Sequence, residues 1–198
     1  MPPGKWATMA FVFERKDYIM VVNERNIRHQ LVLEAVHRMM VAARTAPKGK
    51  GVDIVEVVMA TDDDIERLSA EMVRIAEASG LKFFLRDAEN IKSAEAILLL
   101  GTRQQVQGLN CAHCGFATCA EKPEAVPCAI NAIDLGIAIG SACAMAADLR
   151  LDTRVMFSAG LAAQHLHYLG EESKCVMAIP VSASSKNPFF DRKPKENK

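Results

Sequence analysis

Apolar residues at Ile27, Leu31, Val32, Ala35, Val36, Met39, Met40 and Ala43 recur three and four positions apart, which predicts a helix over about 24–46. Asn23 stands where an N-cap belongs, and Pro47 ends the run by pushing its predecessor out of the α region. "KGKG" at 48–51 then reads as a cationic loop. "DIVEVVMA" (53–60) is β-branched and predicts a strand. In "TDDDIERLSAEMVRIAEASG", Thr61 or Asp62 caps a helix, acids fill its first turn and Gly80 stops it. "AEAILLLG" (94–101) fits a buried strand. An apolar helix starts near Ile130, a second covers 158–170 with Ser158 as cap and Gly170 as stop, and "KCVMAIPVSAS" (174–184) is a strand. The tail reads as polar and extended apart from Phe189 and Phe190. Strands alternating with helices predict an α/β or α+β sandwich around one sheet, with neither an internal repeat nor a linker long enough for two domains.

The helix that starts near Ile130 is apolar nearly all round, which places it centrally or at a subunit interface. Gly136, Gly140 and Ala144 recur every four residues and form a flat ridge on it, the expected surface of a homodimer. The nearly uncharged stretch 125–147 contains Pro127, Asn131 and Asp134, so its helical part falls short of the roughly 20 apolar residues that span a bilayer. It reads as a buried helix, not a membrane span.

Composition narrows the class. The chain has 198 residues, zero formal net charge and 6% aromatics, which excludes a basic face with aromatic platforms for nucleic acid. Six cysteines are too few for a disulfide scaffold, and the N-terminus has no signal-peptide pattern, so a cytoplasmic protein with reduced thiols is expected. Residues 1–19 read as an N-terminal extension or a mis-assigned start, and 194–198 as a charged tail.

Four of the cysteines, Cys111, Cys114, Cys119 and Cys128, follow C-x2-C-x4-C-x8-C. In a reducing compartment such grouping signals metal. Four thiolates hold either zinc or an iron–sulfur cluster. Zinc sites usually come as two short knuckles. Three close cysteines and a fourth after Pro127 suit a cubane [4Fe-4S] cluster better, although the run differs from the C-x2-C-x2-C-x3-C of bacterial ferredoxins. His113 is a neighbour rather than a ligand. Cys143 and Cys175 read as core residues. His165 and His167 face different ways on a helix, and His29 and His37 sit on a helix surface. Asp62, Asp63 and Asp64 complement a helix dipole, Asp134 reads as a helix cap and Arg86–Asp87 as a structural ion pair.

"ARTAPKGKGVD", "FFLRDAENI", "GLNCAHCGFATCA", "CAINAIDLGIAIGSACAMAADLRLDTRVMFSAG" and "NPFFDRK", in this order, resemble the DUF2148 family of ferredoxin-domain proteins across about 20–193. That resemblance implies one domain over 20–193 with a [4Fe-4S] segment at 108–130. "CAHCGFATC" is also similar to the four-iron domain of corrinoid iron–sulfur proteins at its first three cysteines.

A further resemblance is to the nitroreductase fold, in which a helix ends in an Ala-Pro turn, a small-residue helix forms the dimer core and a final strand leads into an arm. It implies an α+β fold with a single sheet flanked by helices, and a homodimer binding FMN. Carried over by position, the flavin contacts are Arg25, Arg28, Pro47, Lys48, Gly49 and Arg192 or Lys193. The paired basic opening of that family is missing here, and Lys48, Gly49 and Lys50 stand where Ser and Asn usually follow the turn. The resulting expectation is an electron-transfer or flavin-linked redox protein with an unidentified redox partner. The alternatives are a non-enzymatic, cluster-stapled docking or sensing protein and a zinc-stapled flavin reductase.

Overall fold

Every second residue of one strand decides the layering of this protein. In the computed structural model, which describes residues 21–190, strand β2 (Ala96–Arg103) is buried along nearly its whole length. Ile97 and Leu99 point to one face, and Ala96, Leu98 and Leu100 to the other. Both faces are covered, which explains why β2 reads as an unbroken apolar run rather than an alternation. The sheet is antiparallel in the order β1-β2-β4-β3, with β1 at Val55–Ala60, β3 at Asp152–Thr153 and β4 at Ser173–Ser182. Helices α2 (Asp63–Ser79), α3 (Phe83–Ile91) and α5 (Phe157–His165) cover one face. Helices α1 (Glu24–Thr45) and α4 (Ala129–Asp148) cover the other. The α+β sandwich around one sheet is therefore as expected.

Helix α1 is capped as its sequence predicts, with Asn23 Oδ1 accepting the Arg25 N–H at 3.0 Å. Three local expectations fail. Asp62 holds the N-cap position of α2 but makes no side-chain cap bond. Ser158 lies inside α5, where its hydroxyl donates to Asp87 Oδ2 at 2.7 Å, and Met156 takes the cap position. The tail is not a uniformly extended arm, because Phe189 is 1% exposed and part of the core, in a turn at 188–190.

Three elements escape the periodicity reading: a 3-10 turn at Gly49–Gly51 in the basic loop, α3, and β3 with only two residues. The Arg86–Asp87 pair is structural, as expected, at 2.7 Å. On the same face, Glu71 accepts from Arg74 at 2.8 Å and lies 3.0 Å from His165 Nδ1. The Arg74 hydrogen bonds, supported by His165 and opposed by burial, hold the Glu71 carboxyl below its ordinary value of 4.5. A depressed acid stabilises the fold above its unfolded value and loses that contribution as pH falls through it. Glu71→Gln should therefore flatten the loss of stability below about pH 4.5, measured by denaturant midpoints across pH.

Helix α4 differs from expectation in a way that bears on function. It packs Leu135, Ala138, Ala142 and Ala146 against Val32, Val36, Met39 and Ala43 of α1, and Ser141 Oγ donates to Ala42 O at 2.8 Å. Its opposite face is open. Ile133 is 50% and Ile137 41% exposed, and a methyl added at Gly136 or Gly140 would meet nothing within 4 Å. With 20 residues, α4 is long and apolar enough to cross a membrane by length and composition, contrary to the shorter span read from the sequence. One of its faces is nevertheless committed to α1.

Candidate functional site

Between the end of β2 at Arg103 and the start of α4 at Ala129 the chain forms neither helix nor strand. This segment carries the four clustered cysteines. Its turns depend on left-handed backbone: Gly108 and Gly115, but also Asn110 (φ 47°) and Ala112 (φ 59°). A non-glycine residue there costs about 1 kcal/mol, and such strain collects at functional sites. Ala112 lies within C-x-x-C, and its carbonyl accepts the Gly115 N–H at 2.9 Å. Asn110 Oδ1 accepts the Cys119 N–H at 2.8 Å and closes the loop that bears Cys111, Cys114 and Cys119. His113 Nδ1 lies 2.9 Å from Cys111 O, so that ring nitrogen already has a backbone partner.

Cys128 occupies the N-cap position of α4 and is buried, whereas Cys111, Cys114 and Cys119 are half-buried. Burial pushes its thiol up, but N–H groups of Asn131, Gln107 and Ile130, with the nearby Lys122 charge, outweigh burial and hold it below the usual thiol range. Cys128 makes no side-chain cap hydrogen bond, so nearby N–H dipoles and charge, rather than a formed cap, favour thiolate, the form that binds metal. Cys143 and Cys175 behave oppositely, since burial alone raises both. All six cysteines are free.

The donor chemistry of the insert therefore fits a thiolate-ligated group. Beside Cys128, both side-chain polar atoms of Gln107 and the Oδ1 of Asn131 are buried without a partner. Among the described residues no group of three or more His, Cys, Asp or Glu is arranged to hold a metal ion, so the four clustered cysteines are not drawn together.

Of the positions carried over for flavin, Lys48, Gly49 and Arg28 are engaged within the chain. Lys48 does not present its charge to a ligand: its ammonium donates to the carbonyls of Ala43, Arg44 and Ala46 at 3.1, 2.6 and 2.9 Å. It thus caps the C-terminal end of α1, where orphan carbonyls need donors. The Gly49 N–H is likewise engaged, donating to Asp134 Oδ2 at 2.9 Å. Asp134 is therefore no helix cap but a buried tie between α4 and the loop 85 residues earlier. Gly49 is required there, since a Cβ would sit 2.9 Å from Ile130 Cγ2. Removing the tie with Asp134→Ala orphans a part-buried N–H and should cost about 1–3 kcal/mol, read from chemical unfolding.

Pro47 remains exposed beside Lys48. Arg28 is bound to Glu24 through two contacts of 2.6 and 2.7 Å and borders a cavity of about 320 Å³ that Arg38 and Ala183 also line. Among the described residues Arg25 has no such partner. Arg192, Lys193, the expected extension 1–19 and the tail 194–198 lie outside the described residues.

A family model described as an uncharacterized protein containing a ferredoxin domain (DUF2148) matches residues 124–192, a span that begins just before Cys128. A protein of Archaeoglobus fulgidus, described only as uncharacterized, is 41% identical over 187 residues, which cover 89% of this chain and all of that one. The chain belongs to the DUF2148 family. Solved structures place the fold of this DUF2148 protein among nitroreductase-like folds. One is described as a nitroreductase in complex with FMN from Desulfovibrio desulfuricans: TM-score 0.54, 16% identity, covering 90% of this chain and 84% of that one. Another is an oxidoreductase containing FMN: TM-score 0.54, 14% identity, covering 77% and 67%. A third, an NADH dehydrogenase/NAD(P)H nitroreductase from Bacteroides thetaiotaomicron, gives 0.52 at 16% identity, covering 82% and 81%. At these identities the likeness is one of fold. It bears out the expected architecture, a nitroreductase-like sheet interrupted by a cysteine-rich insert.

Proposed function

We propose that this DUF2148 protein is a redox protein that carries a [4Fe-4S] cluster on Cys111, Cys114, Cys119 and Cys128. The carrying observation is Cys128, a buried thiol held low by backbone N–H donors at the head of α4 and followed through the fold by no competing use. When bound, such a cluster supplies one-electron transfer. The chain's own part is to present thiolates, aim N–H groups at sulfur and limit water with Phe116 and Val126. Residues 20–193 would form the working domain, with 108–130 as the cluster segment.

The proposal extends to a flavin. Arg25 and Arg28 sit at one end of α1 and Pro47–Gly49 at the other, about 33 Å apart for 22 residues at 1.5 Å each. One chain cannot bring both ends to one FMN. Two chains can, and the open ridge of α4 offers the surface on which they would meet. Gly140→Leu, whose added side chain has free space in the monomer, should leave the fold intact and turn dimer into monomer in sedimentation experiments. The same variant should lose any bound FMN.

Counting iron, sulfide, zinc and flavin on protein prepared without oxygen tests the function directly. Iron and sulfide in equal numbers support the cluster, and zinc alone overturns it. A redox titration followed by EPR then separates electron transfer, which gives a reversible signal, from a cluster that only staples the insert.

A further inference from the structure

The basic loop between α1 and β1 carries a strain that its own turn does not need. Lys50 adopts a left-handed backbone, φ 57° and ψ 9°, between two glycines. Glycine at this position would remove the strain. The turn closes without the lysine side chain: the Gly51 N–H donates to Lys48 O at 2.9 Å and the Val52 N–H to Gly49 O at 3.1 Å. What the lysine adds is reach. Its Nζ donates at 3.0 Å to the carbonyl of Gln107, 57 residues later in the insert. Neighbouring contacts fix where that bond lies. A Cβ on Gly49 would sit 2.9 Å from Ile130 Cγ2, 3.4 Å from Asp134 Oδ2 and 3.8 Å from the carboxamide carbon of Gln107. The loop is therefore wedged where Gln107 meets the first two turns of α4, the helix that Cys128 heads.

Gln107 has few other holds. Neither polar atom of its buried carboxamide has a partner. Residues 106–109 belong to no helix or strand, and among the described residues the Lys50 contact is the one hydrogen bond from an N–H or ammonium to their backbone. Asn131 Nδ2 donates to Gln105 O at 2.6 Å, which fastens α4 to residue 105 but not beyond it. Yet residue 107 stands at a junction. Its N–H is one of three that act on the Cys128 thiol, and Cys111 follows four positions later. We infer that Lys50 is a positioning residue for the cluster site: by holding the Gln107 carbonyl, it fixes the base of the insert, and with it the approach to Cys111, against the head of α4. This role rests on the cluster reading of the four cysteines. It belongs to a residue outside them and outside the flavin positions.

Full-chain Lys50→Met keeps the unbranched stem and the backbone strain but removes the donor. Lys50→Arg restores a cation that donates, and Lys82→Met, on an exposed turn, is the control. Hydrogen exchange on metal-free protein reads the tie by itself: Lys50→Met should exchange faster in 105–110 and 129–132, with an unchanged circular dichroism spectrum. Loaded without oxygen, it should lose iron to a chelator about tenfold faster than the wild type, as when a partner of a metal ligand is removed. Its midpoint potential, followed by EPR, should move to more negative values, because N–H groups near sulfur stabilise the reduced cluster. Lys50→Arg should restore all three readings, and Lys82→Met should change none. Unaltered exchange in Lys50→Met overturns the tie. Faster exchange with wild-type iron loss and potential overturns the role toward the cluster and leaves the cluster reading standing. A potential shift that vanishes in about 1 M salt is the loss of a charge alone and overturns positioning. A wild type that takes up no iron overturns the cluster reading and this role with it, a failure the exchange data cannot mimic.

Discussion

Cys128→Ser will give a folded chain that holds almost no iron. At a helix N-cap, serine is among the best residues, because its oxygen can accept first-turn N–H groups that the Cys128 side chain leaves uncapped. The head of α4 thus survives the substitution. What is lost is the proposed ligand: a serine hydroxyl stays protonated where the Cys128 thiol is held below its usual range. Iron and sulfide should fall from about four each per chain to below about one, with loss of the charge-transfer absorbance. Cys143→Ser is the matching control. That thiol lies in the middle of α4, is raised by burial alone and should leave the counts unchanged. Equal iron in wild type and Cys128→Ser would remove Cys128 from the ligand set. The pair of variants separates a ligand from a buried thiol on the same helix.

The cysteine grouping was legible in residue type and spacing, whereas among the described residues the four thiols are not drawn into a metal-holding group. Its electrostatics were legible in part, since placing Cys128 at the start of an apolar helix already implied N–H groups beside the sulfur. The influence of the Gln107 N–H was not, because it arrives from across the insert. The basic loop was less legible: "KGKG" reads as a cationic loop, but whether a lysine is free depends on the carbonyls around it, and Lys48 curls back onto the end of α1. Asp134 looks like a local cap in sequence, yet its partner is 85 residues away. Helix α3 was missed although Phe84, Asp87, Ala88 and Ile91 follow helical spacing. It has only nine residues, and a buried Asp87 breaks the apolar stripe until Arg86 and Ser158 are seen to satisfy it. The long elements α1, α2, α4, β1, β2 and β4 were readable because each has a periodic pattern or a stop residue of its own. Two-residue β3 has neither, and it exists because β4 offers an edge to pair with.

Gly160→Ala will be among the most damaging single-methyl additions in this protein. Gly160 faces β4 so closely that a Cβ would lie 2.1 Å from Val176 O and 2.7 Å from Met177 Cα. Both obstacles are backbone, in a strand hydrogen-bonded on to β2, so no side chain can swing aside. Either α5 lifts from the sheet or β4 bends. Lifting α5 would open the core formed by Ala159, Ala162 and Ala163 with Val176 and Ala178, all nearly inaccessible to solvent. Alanine's better helix propensity returns about 1 kcal/mol at most. The overpacking costs more, and the net loss should be about 3 kcal/mol or larger, a fall in Tm of roughly 6–12 °C for a chain of this size. Gly136→Ala supplies the contrast. It gains the same propensity on α4, meets no atom within 4 Å and should leave the monomer as stable or slightly more so. Thermal and denaturant unfolding of the two variants under identical cofactor content decides the matter. If Gly160→Ala unfolds with the wild type, α5 does not seat on β4 by backbone contact, and the wall of small residues between α5 and the sheet has another purpose.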